Sequence, residues 1–135
     1  MNNFCLHERL ADDCFVLCEN KQFIFLLMNN ALLPWFILVP KTDKSELYQL
    51  DELTQLRLLK AINHISTILS IDYKPDKLNV AAIGNIVQQM HIHIVVRYKN
   101  DPFWPGVVWG ATAKQAYQAD AVARIKSQLN NILEI

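Results

Sequence analysis

Two histidines stand one residue apart, His91 and His93, within the run Gly84-Asn-Ile-Val-Gln-Gln-Met-His-Ile-His-Ile-Val-Val-Arg97. On a strand, successive side chains point to opposite faces. Gln89, His91, His93, Val95 and Arg97 then share one face. Met90, Ile92, Ile94 and Val96 share the other and can enter a core. Alternate residues are roughly 7 Å apart by strand rise, so two imidazoles and an amide would form one ridge. Three readings compete. A neutral imidazole can attack phosphorus and leave again, while a second orients it or steadies the phosphate oxygens. An ordinary histidine pKa of about 6.5 leaves the ring mostly neutral near pH 7. Alternatively, His-x-His could hold a metal, but no third ligand lies at a useful spacing, and His7 and His64 are remote; no metal is expected. Finally, two histidines could simply decorate a polar sheet face.

The flanking pattern says what must position this ridge. Residues 14–19 and 23–28 read as strands joined by a turn at Asn20-Lys21-Gln22. Asn29 and Asn30 break the pattern, and residues 35–39 form a third strand closed by Pro40. Residues 45–50 suggest a short helical turn. A long helix over residues 51–71 follows, with Leu50, Leu53, Leu56, Leu59, Ile62, Ile65 and Ile68 as its expected core stripe, widened by Leu58 and Leu69. His64 falls on its polar side. Strands are expected at 77–83 and 90–98, then a Pro/Trp/Gly loop over 101–110. A last helix is expected over 112–133, with Ala119, Val122, Ile125, Leu129 and Ile132 on one face. This order predicts an α+β fold with a largely antiparallel sheet. Arg97, Lys99, Asp101 and Lys41 read as surface charges.

Composition narrows the class. The 135 residues fit one domain spanning 1–135, and 52% hydrophobic content argues against disorder. Lys+Arg and Asp+Glu number 13 each, so no net field draws nucleic acid or an anionic membrane. An anionic ligand must be held by local groups. Cys5, Cys14 and Cys18 form no CxxC pair and read as free thiols. No signal peptide or membrane-length apolar run is visible, which predicts a cytoplasmic protein.

The run 89–95 resembles the signature of the histidine triad (HIT) family, His-φ-His-φ-His-φ-φ with φ apolar. It reads here Gln89-Met90-His91-Ile92-His93-Ile94-Val95. The similarity extends over about residues 10–110. It includes Gly84 before the motif, a strand ending at Asn29, the Pro-bounded strand 34–40, Asn79, and the Trp-containing segment 102–110. The resemblance implies a homodimer with a five-stranded antiparallel sheet, one long central helix and a C-terminal helix. It implies a nucleotide substrate and no cofactor. His91 would attack the α-phosphate and form a nucleotidyl-histidine, with His93 as supporting imidazole and Gln89 beside them in the catalytic group. Asn29, Asn79, Gly84 and Asn85 would line the nucleotide site.

Departures from the pattern matter. Gln89 occupies the first His position, and an amide carries no titratable proton near neutrality. Ile86 stands where relatives often carry Ser or Thr. Phe36 is read as standing where many carry a further His. The resemblance therefore implies a hydrolase or transferase acting on phosphoramidates, dinucleoside polyphosphates or adenylylated conjugates. The alternatives are a nucleotide-binding dimer with little turnover, or a protein whose dimer surface is its function.

Overall fold

The computed structural model describes residues 3–135. Five strands form one antiparallel sheet: β1 (Cys14–Glu19), β2 (Phe23–Met28), β3 (Trp35–Pro40), β4 (Lys77–Ala81) and β5 (Ile92–Arg97). Their spatial order is β1-β2-β3-β5-β4, so β5 sits between β3 and β4 and β4 is an outer edge. The β1–β2 turn is built by Asn20, whose side-chain oxygen accepts from the N–H groups of Gln22 and Phe23.

Each face of the sheet has its own cover. On one face, Phe25, Leu27, Phe36, Leu38, Ile92, Ile94 and Val96 pack with Leu58, Ala61, Ile65 and Leu69 of helix α2 (Glu52–Tyr73) and with Leu129, Ile132 and Leu133 at the C-terminus. Phe25 and Phe36 stack there at 5.4 Å. On the other face, Ile24, Leu26, Ile37 and Val39 meet Leu10 of a short helix α1 (Glu8–Asp13) and Val87. Ile94 and its neighbours at 92 and 96 thus enter the α2 core, as the alternation predicts. His93, Val95 and Arg97 face the other way.

The α2 stripe matches expectation at Leu58, Ile65 and Leu69, with Ile62 and Ile68 partly buried against the same core, and departs from it in the first turns. The buried positions are Leu58, Ala61, Ile65 and Leu69, close to the 3.6-residue period. Leu53, Leu56 and Leu59 are exposed. Three residues turn a helix by only about 300°, so a strict three-residue repeat drifts about 60° per step and leaves the core. Asp51 caps α2, accepting from the Thr54 N–H at 2.8 Å. The helix ends at Lys74 in the left-handed region, with φ 49°, before Pro75.

Other boundaries move as well. β4 ends at Ala81 and β5 starts at Ile92, because the two strands cease to pair beyond Ala81↔His93. The last helix, α3 (Ala119–Leu129), begins seven residues later than expected. Residues 111–118 instead run without helix, tied to the β2–β3 loop by the Asn29 and Asn30 side chains, which accept from the N–H groups of Tyr117 and Gln115. Among the described residues, no helix is long and apolar enough to cross a membrane.

Candidate active site

β5 carries His93 opposite Ile37 of β3, and Val95 opposite Trp35. His91 lies just before β5. The loop leading to it turns at Gly84, whose φ of +65° is a conformation that suits glycine. Val87 then anchors the loop in the apolar cluster beneath α1. Both rings are held at the sheet surface, with His91 7% and His93 5% exposed. Their centroids are 5.0 Å apart and the rings meet edge to face.

Hydrogen bonds fix both tautomers. His91 Nδ1 lies 2.7 Å from the carbonyl oxygen of Gln89. A carbonyl only accepts, so Nδ1 carries a proton, and in the neutral ring the lone pair is therefore on Nε2. His93 is the reverse. Its Nδ1 accepts from the indole N–H of Trp35 at 3.0 Å, and indole only donates, so the proton sits on Nε2. Burial, and secondarily the neighbouring His91, push the His93 pKa down to about 3. His93 is therefore neutral near pH 7.

A cleft of about 400 Å³ opens over these rings. Its apolar wall includes Leu10, Met28, Ile37 and Val87, and Arg9 and Asp13 of α1 stand at one side. Gly84 and Asn85 line it near the rings. Trp109 closes another side, edge-on to His93 at 5.3 Å and to Trp35 at 6.3 Å. The Trp109 indole nitrogen is buried without a partner.

The loop bearing Trp109 hangs on a buried ion pair. Arg97 and Asp101 each have 2% side-chain exposure and pair at 2.9 Å. Asp101 also accepts from the N–H groups of Tyr98, Phe103 and Trp104. Burial alone would raise the Asp101 pKa, but these hydrogen bonds and the Arg97 charge outweigh it and hold the carboxyl below its ordinary range. Arg97 and Asp101 are thus not surface charges. Lys41 is also largely covered, paired with Glu19.

Residues 9–100 match the profile of the HIT domain. The chain belongs to the histidine triad family. It is similar to a histidine triad protein from Marinobacter aquaeolei VT8, with 43% identity over 97% of this chain and 96% of that one, and a TM-score of 0.92. A histidine triad protein from Bradyrhizobium japonicum shares 37% identity over 93% and 95%, with a TM-score of 0.89. One from Sinorhizobium meliloti 1021 shares 33% over 98% and 96%, with a TM-score of 0.90. Among curated proteins, none matches the sequence.

In this histidine triad protein, His91, His93, Gly84 and Asn85 meet at one cleft. Three other residues singled out from the sequence do not join them. Asn79 on β4 lies opposite Val95 and accepts from Arg97 at 2.8 Å. Asn29 is outside the cleft lining and its oxygen holds the N–H of Tyr117 at 2.9 Å. Gln89 points its amide at the N-terminal arm, accepting from the His7 N–H and donating to the Cys5 carbonyl. Phe36 lies in the α2 core, on the opposite face from the rings. A histidine there could not reach them. The β3 residue that does reach them is its neighbour Trp35, which the motif reading missed. Its signal was the alternation itself: one residue's shift along a strand changes the face. Among the described residues, no group of three or more His, Cys, Asp or Glu is placed to hold a metal.

Proposed function

We propose that the cleft binds a nucleotide and that His91 attacks its α-phosphate. The observation that carries this reading is the tautomer of His91. Its Nδ1 proton is held by the Gln89 carbonyl, so the nitrogen left for chemistry is the one with a lone pair. The Nε2–P bond forms as the bond from phosphorus to the leaving group breaks, and the leaving group departs with that electron pair. Water then attacks phosphorus, loses a proton to bulk solvent and releases the nucleoside monophosphate with His91 restored. Another acceptor in place of water would make the reaction a transfer. His93, with its proton on Nε2, donates a hydrogen bond to a phosphate oxygen. Gly84 and Asn85 stand beside the phosphate. The base lies against Leu10, Met28, Ile37 and Val87. Asn29 lies outside the cleft lining, with its oxygen holding the Tyr117 N–H, and takes no part in binding.

The proton inventory narrows the leaving group. Gln89 has no titratable proton, and His93 is neutral with Nδ1 already engaged by Trp35. Leaving groups that depart as stable anions, such as the phosphate end of a dinucleoside polyphosphate, suit this site better than alkyl amines. The same shortage of an acid supports a second reading, a nucleotide-binding protein with slow turnover.

We further propose that the protein works as a homodimer. The β4 edge is open, Val80 on it is exposed, and Leu53, Leu56, Leu59 and Tyr48 are exposed on and beside α2. A second copy would cover such a face.

The test is a panel of dinucleoside polyphosphates and nucleoside phosphoramidates with wild type and His91→Ala. Nucleoside monophosphate release that vanishes in the variant, with nucleotide binding kept, supports the enzyme. Binding without release in either protein supports the slow reading. No binding to wild type refutes both.

A further inference from the structure

The arm preceding α1 is extended, and it alternates. Phe4 and Leu6 are partly buried against the cluster of Leu10, Ile24, Leu26, Ile37 and Val87. Cys5 and His7, at the alternate positions, are exposed. The His7 N–H and the Cys5 carbonyl pair with the same side chain. Gln89 Oε1 accepts from the His7 N–H at 2.8 Å, and Gln89 Nε2 donates to the Cys5 carbonyl at 2.9 Å. The amide thus serves Leu6 as the N–H and C=O of a residue in a neighbouring parallel strand would. His7 continues the chain of bonds. Its Nδ1 accepts from the Arg9 N–H and its carbonyl from the Ala11 N–H, which starts α1. Helix α1 then lends Arg9, Leu10 and Asp13 to the cleft wall.

We propose that Gln89 is a latch: its amide clamps the arm at residues 5 and 7 so that α1 stands as the outer wall of the nucleotide cleft, making Gln89 a positioning residue for substrate binding rather than a catalytic one. This rests on reading that cleft as the nucleotide site. The chemistry favours glutamine over histidine at this position. A primary amide presents a donor and an acceptor side by side on one edge. Imidazole also has one of each, but they diverge from opposite edges of the ring. Alanine has neither, and glutamate at neutral pH accepts from His7 but faces the Cys5 carbonyl without a proton to donate.

The test compares wild type, Gln89→Ala, Gln89→Glu and Gln89→His. Amide hydrogen exchange on the free protein reads the arm. Steady-state kinetics with a dinucleoside polyphosphate, or equilibrium nucleotide binding where turnover is too slow, reads the cleft. Loss of both hydrogen bonds in Gln89→Ala should speed exchange at His7 to Ala11 about tenfold or more, and loss of one in Gln89→Glu or Gln89→His should speed it less, with residues 92–97 unaffected. KM or Kd should rise about tenfold while kcat stays within about threefold. A second variant breaks the latch from the arm side. His7→Pro has no N–H to donate, and the native φ of −54° suits proline. It also removes the cap on Arg9, so the reading is its coupling: His7→Pro should loosen binding less in the Gln89→Ala background than in wild type. Unchanged exchange in the arm overturns the latch. So does a fall in kcat at constant KM, which would put Gln89 in the chemistry, or full additivity of the two substitutions. Wild type that binds no nucleotide refutes the cleft's assignment, and the exchange data still decide whether Gln89 holds the arm.

Discussion

His93 makes the stability of this protein depend on acid in a way that can be calculated. Its ring is 5% exposed, its Nδ1 accepts from Trp35, and its pKa falls from an ordinary 6.5 to about 3. Above about pH 6.5 the ring is neutral in the folded and unfolded chain, and folding is indifferent to it. As pH drops below that value the unfolded chain takes up a proton that the folded chain refuses. Stability therefore falls through the window from about 6.5 to about 3. At about pH 5 the loss is about 2 kcal/mol, from one and a half pH units at about 1.4 kcal/mol each. The perturbation is His93→Asn, whose side-chain oxygen can still accept from the Trp35 indole but does not titrate. Urea unfolding at about pH 7.5 and about pH 5 should show wild type losing about 2 kcal/mol more than the variant between the two conditions. Equal losses in both proteins would refute the argument, since the rest of the chain is common to both. A His93 ring that titrates near 6.5 by NMR would refute it independently.

Two further outcomes follow from other parts of the molecule. Asp101→Asn leaves Arg97 buried without its partner, and should cost about 3–5 kcal/mol, read as a drop of roughly 10 °C or more in melting temperature. The pair of substitutions Leu56→Lys and Leu59→Lys on the exposed face of α2 should halve the mass seen by light scattering if the copies associate there, with the fold retained by circular dichroism.

The sheet side of the site was legible in the sequence because strand geometry leaves little freedom. Once residues 92–97 are a strand, the period of two puts Ile92, Ile94 and Val96 in the core and His93 on the opposite face. The same rigidity made the Phe36 reading fail, since an offset of one residue along β3 exchanges Phe36 for Trp35 and one face for the other. The α2 stripe held at Leu50, Leu58, Ile65 and Leu69, with Ile62 and Ile68 packed against the core, and missed at Leu53, Leu56 and Leu59, because a leucine every third residue falls out of step with a helix that advances by 3.6. Arg97 and Asp101 are four residues apart outside any helix, so no periodicity announces that they pair. The arm lay furthest out of reach. Gln89 meets Cys5 and His7 across 84 and 82 residues of chain, and nothing local in either segment signals the other.

The placing of the indoles has a practical consequence. Trp35 and Trp109 flank His93 at centroid distances of 5.8 and 5.3 Å, while Trp104 sits over the Arg97 guanidinium. Two of the chain's three tryptophans thus border the very ring that would touch a phosphate. Their emission offers a label-free gauge of occupancy and protonation at that spot, with the third as a built-in reference for everything that happens elsewhere.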